Sequence, residues 1–126
     1  MRFTLLAALA LVAAGCGPRS TDDWLAHLKG PDPAHRRQAI RELGSRAGEA
    51  ERVVPALTEA LRDDNPYVRR DAATTLAKFG DGAKTAVPAL KEALKDKDQN
   101  VRLSAAATLR KVAPSDAPKE GKRMAG

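Results

Sequence analysis

Residues Pro55 to Gly80, PALTEALRDDNPYVRRDAATTLAKFG, set a pattern that the rest of the chain repeats. Moved forward by 33 residues, the stretch becomes Pro88 to Ala113, PALKEALKDKDQNVRLSAAATLRKVA, and over half of its positions are unchanged. The retained pairs include Pro55/Pro88, Leu57/Leu90, Leu61/Leu94, Val68/Val101, Arg69/Arg102, Ala72/Ala105 and Leu76/Leu109. Moved back by 33, it overlays Asp22 to Ala47. A period of this size marks stacked units, each too small to bury its own apolar face, so that neighbours must seal one another.

Each unit reads as two helices. Val54, Leu57 and Leu61 recur at spacings of three and four and share one helical face, with Thr58, Glu59 and Arg62 opposite. Asp63-Asp64-Asn65-Pro66 breaks that run, and Asn65 is placed as an N-cap with Pro66 at the first helical position, where its missing N–H costs nothing. Asp32-Pro33 and Asp98-Gln99 repeat the arrangement in the other two units. Val68, Ala72, Leu76 and Phe79 line the second helix, and Gly80 is placed as its left-handed end before Asp81-Gly82 turns the chain back. The spacing predicts helices near 22–29, 33–46, 50–62, 66–79, 84–95 and 99–112. Pro55 and Pro88 belong in the first turn of their helices or kink them. With 43% hydrophobic but only 3% aromatic content, the core of such a stack is Leu, Val and Ala.

The pattern L-x-D-x-x-x-x-V-R-x-x-A-A-x-x-L stands in full as Leu61, Asp63, Val68, Arg69, Ala72, Ala73 and Leu76, and again as Leu94, Asp96, Val101, Arg102, Ala105, Ala106 and Leu109. It resembles the HEAT repeat, in the short HEAT-like form also found in phycobilisome lyases. The first copy keeps Leu28, Arg36, Ala39, Ile40 and Leu43, while Gly30 replaces the Asp and His35 the Val. The resemblance implies an all-α, short α-solenoid of three HEAT-like helical hairpins over residues 22–113, with units 22–47, 55–80 and 88–113. Arg36, Arg69 and Arg102 sit four positions inside their helices, where the helix dipole disfavours a cation, so another partner must favour them. The resemblance implies a structural ladder in which Arg69 and Arg102 pair with Asp63 and Asp96. It also implies that the second helices line an inner face. There Arg37, Arg41 and Arg70, with Asp71, Thr74 and Lys78, are the candidates for binding a protein partner, and Leu103, Ser104 and Ala107 make the third repeat more apolar.

Met1 to Cys16, MRFTLLAALALVAAGC, carries one basic residue and then an uncharged run too short to span a membrane, which reads as an export signal. Its end, Ala13-Ala14-Gly15-Cys16, resembles the lipobox of bacterial lipoproteins, with Ala13 where that family prefers Leu. The resemblance implies a signal peptide over 1–15 and a lipidated Cys16 at the head of a tether, 16–21. Cys16 is the one cysteine of the 126 residues, so no disulfide forms within a molecule. Gly17 rather than Asp follows it, and the resemblance to Gram-negative lipoproteins implies sorting to the outer membrane, on its periplasmic side. Residues 114–126 are rich in Pro, Lys and Gly and read as a disordered tail.

Trp24 aligns with Leu57 and Leu90, and His35 with Val68 and Val101, so both are expected at core or capping positions of the terminal unit. His27 and His35 lack a Cys or carboxylate cluster at ligand spacing, and no metal site is expected. No phosphate loop, catalytic triad or apolar-embedded carboxylate pair is legible, so no catalytic residue, enzyme activity or cofactor is expected. The net charge of +6 raises nucleic acid as a remote alternative, a basic concave face. Between Asp22 and Ala113, however, 17 basic side chains stand against 14 acidic ones, which is mild beside a phosphate-tracking stripe. The expected function is a membrane-anchored scaffold or adaptor for an unidentified protein of the bacterial cell envelope. An accessory or inhibitory subunit of a periplasmic enzyme is the alternative, and weak self-association through the open end of the third unit remains open.

Overall fold

The computed structural model describes residues 19–119. The signal peptide, Cys16 and residues 120–126 of the expected tail lie outside the described residues. Three hairpins follow one another, each made of a first and a second helix: α1 (Thr21–His27) and α2 (Pro33–Leu43), α3 (Ala50–Ala60) and α4 (Pro66–Leu76), α5 (Val87–Ala93) and α6 (Gln99–Val112). Short 3-10 segments, Ala47–Glu49, Ala77–Ala86 and Pro114–Asp116, fill the connections, and no strand occurs among the described residues.

The helices begin where the sequence places acceptors. Asp32, Asn65 and Asp98 each turn a side-chain oxygen onto an amide of the first turn, to Ala34 at 2.9 Å, Tyr67 at 2.9 Å and Val101 at 3.1 Å. Ser20 and Asp23 form a reciprocal capping box at the start of α1, and the carbonyl of Arg19 accepts from Arg46 Nη2 at 2.9 Å. Arg19 and Ser20 are thus tied to the first hairpin ahead of Asp22. At the other end Asp116 accepts from Lys91 at 3.1 Å and Ala117 packs on the core, so the first residues of the expected tail are part of the fold. Gly80 has φ +51°, the one positive value among the described residues, which glycine adopts without backbone strain as the chain leaves the second hairpin. Pro88 sits in the first turn of its helix, whereas Pro55 lies inside α3.

Second helices stack tightly, α2 on α4 and α4 on α6, while each first helix packs mainly on its own partner or on the 3-10 segment that follows. The interior between them is aliphatic: Ile40, Leu43, Val53, Leu57, Val68, Leu76, Leu90, Val101 and Leu109 are fully buried. Small side chains allow the close approach. Ala73 and Ala106 are buried at matching positions, and Thr108 of α6 donates its hydroxyl to the Ala73 carbonyl near the end of α4 at 2.7 Å. Trp24 is buried as its alignment with Leu57 predicts. His35 is not: its side chain is 65% exposed and faces Asp32 at 3.2 Å. Val68 and Val101 are fully buried on helices that pack on the second helix of a preceding hairpin, and α2 has no hairpin before it among the described residues.

Candidate functional site

Two rows of arginines run along the second helices, one residue apart in sequence. The inner row is Arg36, Arg69 and Arg102. Arg36 forks onto Asp63, Nε to Oδ2 at 2.9 Å and Nη2 to Oδ1 at 3.0 Å, and Arg69 forks onto Asp96 at 2.8 and 3.0 Å. Each of these arginines points Nη1 back at its own interhelix loop, onto the carbonyls of Gly30 and Pro31 or of Asp63 and Asp64. The carboxylates are anchored in turn by the amides of Asn65 and Asp98, both at 2.9 Å. One guanidinium thus ties its own loop to the loop of the next hairpin.

The ladder differs from its expected register. The resemblance pairs Arg69 with Asp63 and Arg102 with Asp96, but each meets only a backbone carbonyl there, at 2.7 Å in both cases. The side chain sits between two hairpins, and its planar edge faces the later one, 27 residues ahead, so the carboxylate of the later loop takes the bidentate bond. Arg36, left out of the expected ladder, is its first rung. Gly30 needs no carboxylate, because no arginine precedes it in register among the described residues.

Both closed pairs are shielded, with side chains no more than 12% exposed. Burial drives the Asp96 carboxyl upward, but the hydrogen bonds from Arg69 and the Asp98 amide, with the Arg69 charge, hold it below the ordinary 3.8. For Arg36 the bonds it donates to Asp63 raise the guanidinium above its ordinary value, against the opposing effect of burial.

The outer row, Arg37 and Arg70, faces solvent. Arg37 Nε donates to Asp71 Oδ2 at 2.7 Å, and Arg70 Nη2 to Asp71 Oδ1 at 3.2 Å, so one carboxylate holds both cations. Tyr67 lies between them, 56% exposed, with each guanidinium carbon 5.5 Å from the ring centre. This is a preformed aromatic and cationic patch. Asp71 is thereby the organiser of the patch rather than a free ligand for a partner. Thr74 spends its proton on the Arg70 carbonyl at 3.0 Å and offers an acceptor outward. Arg41 is exposed and makes no ion pair among the described residues. Lys78 is exposed too, and its side chain crosses over Gly44, where a Cβ would stand 3.4 Å from it. Of the six residues Arg37, Arg41, Arg70, Asp71, Thr74 and Lys78, the structure brings Arg37, Arg70 and Asp71 into direct contact.

Sequence reasoning missed Tyr67. The available signal was its identity, the one tyrosine of the chain at a position held by Ala34 and Asn100 in the other units. Beyond the patch the same face becomes apolar: Thr74, Ala77, Leu103, Ala107 and Lys111 border a shallow hollow of about 350 Å³ between α4 and α6. A larger hollow of about 690 Å³ lies on the opposite side, between α1 and α3, lined by Leu25, Leu28, Pro55, Ala56 and Ala60 among others. It is an open seam between first helices that do not pack closely, and the carboxylate that reaches it, Asp63, is already engaged by Arg36. Among the described residues no three His, Cys, Asp or Glu side chains are grouped to hold a metal ion, and no helix is long and apolar enough to cross a membrane.

The family model of HEAT repeats matches residues 21–110. Among solved structures the chain is similar to a chain in the complex of CpcE and CpcF of phycocyanin lyase from Nostoc sp. PCC7120, with 31% identity and a TM-score of 0.68. The match covers 79% of this chain but only 42% of the other, so the chain spans less than half the length of that relative. No curated protein matches it. The repeats and this likeness point to protein–protein interaction.

Proposed function

Since the chain belongs to the HEAT repeat family, we propose that it is a non-enzymatic adaptor that holds another protein of the bacterial cell envelope on its second-helix face. The observation that carries this reading is the Arg37–Tyr67–Arg70 stack fixed by Asp71. Tyr and Arg are the residues on which binding energy concentrates, and side chains already held in place lose little freedom when a partner docks. Four cations, Arg37, Arg41, Arg70 and Lys78, against one engaged carboxylate select an acidic surface, and the hollow beside Leu103 supplies apolar contact next to it. The similarity to a chain from a two-protein complex supports a protein as the ligand.

The leader ending at Cys16 supports the second half of the proposal. A lipid on that thiol would tether the stack to the periplasmic side of the outer membrane, with two or more acyl chains sufficient for stable anchoring. The likeness to a lyase complex supports a related reading, in which the held protein is an enzyme and this chain its accessory or inhibitory subunit. Photo-crosslinking from Tyr67 in intact cells tests the face. One envelope protein, recovered with the parent chain and with a Lys97→Glu control but lost with Arg37→Glu/Arg70→Glu, is the expected result. Equal recovery with the charge-reversed face would sink the adaptor reading, and Cys16→Ser remaining in the membrane fraction would sink the anchor. Assaying the recovered protein alone and with this chain separates the adaptor from the accessory subunit.

A further inference from the structure

We infer that the Arg37–Tyr67–Arg70 patch receives a single carboxylate, from an Asp or Glu side chain in an acidic segment of the partner, and that Asp71 makes it prefer a carboxylate to a phosphate. The inference rests on the second-helix face being the binding face, and it names the group that this face holds. Asp71 gives one oxygen to each cation: Oδ2 accepts from Arg37 Nε at 2.7 Å, and Oδ1 from Arg70 Nη2 and Nε at 3.2 and 3.4 Å. Both guanidinium carbons lie 5.5 Å from the Tyr67 ring centre, so ring and carboxylate together hold the two cations in place. Arg37 thus meets Asp71 through Nε, with both Nη groups beyond that bond, and Arg70 through one edge, with Nη1 beyond it. Both arginine side chains reach water, each 34% exposed, while Asp71 is the more shielded at 16%.

Charge selects the ligand. Two cations against one carboxylate leave one positive charge uncompensated, which a monoanion cancels. A phosphate monoester carries nearly two negative charges at neutral pH and would leave the patch negative beside the shielded Asp71. It also costs more to dehydrate, because that cost grows with the square of the charge and the attraction only in proportion to it. Arg41, one turn further along α2, is exposed, and water and salt weaken its field. The clamp belongs to one seam. In register 33 residues on, Leu103 and Ser104 stand where Arg70 and Asp71 do, so the seam between α4 and α6 lacks both the second cation and the bridging carboxylate. One acidic side chain therefore fixes where the partner sits along the stack.

The test is titration of the full chain with two end-capped pentapeptides, Gly-Gly-Glu-Gly-Gly and its phosphoserine counterpart, followed on the arginine Nε–H resonances. Arg37 and Arg70 are expected to shift at several-fold lower Glu peptide than exposed Arg62, which follows α3. The phosphoserine peptide is expected to need about threefold more for the same shift. Asp71→Asn keeps the shape and an acceptor oxygen but removes the charge, and is expected to move the preference about threefold or more towards phosphoserine. Tighter phosphoserine binding by the parent chain, a preference unmoved by Asp71→Asn, or arginines no more responsive than Arg62 would each overturn the inference. Should the variant unfold, the ranking of the two peptides on the parent chain decides by itself. An envelope protein captured through Arg37 and Arg70, alongside tighter phosphoserine binding, would sink this inference and leave the adaptor reading standing. Capture indifferent to charge reversal, with the Glu preference intact, would sink the adaptor reading and leave the carboxylate site.

Discussion

Arg69 and Arg70 are neighbours of the same type on the same helix, yet one is a structural bolt and the other a surface contact. Arg69 is 6% exposed and forks onto a shielded Asp96, whereas Arg70 lies over an exposed tyrosine and shares Asp71 with Arg37. A step of one residue turns the side chain by about 100° around the helix, from the seam between hairpins to solvent. Residue type and charge therefore say little about the role of an arginine in this chain. What decides is whether the seam brings a carboxylate within reach in a place water does not enter.

The sharpest way to break the contrast is to remove one carboxylate from each row. Asp96→Ala strands a buried guanidinium, and urea unfolding is expected to show a loss of about 3–5 kcal/mol. Asp71→Ala frees two half-buried cations that still reach water, and the same measurement is expected to show a smaller loss, about 1–2 kcal/mol. Replacing Asn65 by Ala removes the cap of α4 and loosens the loop whose carbonyls hold Arg69, with an expected loss of about 1 kcal/mol by thermal unfolding. Acid probes the inner row as well. The carboxyl of Asp96 is depressed in the folded state, so its contribution is present above the ordinary 3.8 and is lost as pH falls through the folded value below it. Asp96→Asn is expected to flatten that part of the acid unfolding curve. The smallest effect is expected from Tyr67→Ala, within about 0.5 kcal/mol in stability. That variant should nonetheless impair partner capture, which would confirm that the outer row serves binding and the inner row folding.

The hairpins were legible because their signals are local. Apolar spacing, Asp32, Asn65 and Asp98 as caps, and Gly80 at a positive φ all depend on a few consecutive residues. The ladder was half legible. Sequence period placed Arg and Asp in register, but a carboxylate six residues behind and one 27 ahead recur with the same period, and only packing chooses between them. Tyr67 was invisible for a similar reason, since its stacking on Arg37 joins two hairpins. His35 misled because alignment treats every unit as flanked on both sides, and α2 has no unit before it among the described residues. Composition alone drew the tail, and could not foresee that Lys91 and the core would hold its first residues.

One hydroxyl couples the behaviour of two hairpins over time. The Ala73 carbonyl near the end of α4 is met by Thr108, a residue contributed 35 positions later. Amide hydrogens in the last turn of α4 should thus exchange with solvent only when α6 lifts away, so that this turn and α6 open as a single cooperative unit. A truncated chain lacking α6 would fray there first, and a protease would find its earliest cut in the middle of the sequence rather than at the shortened end.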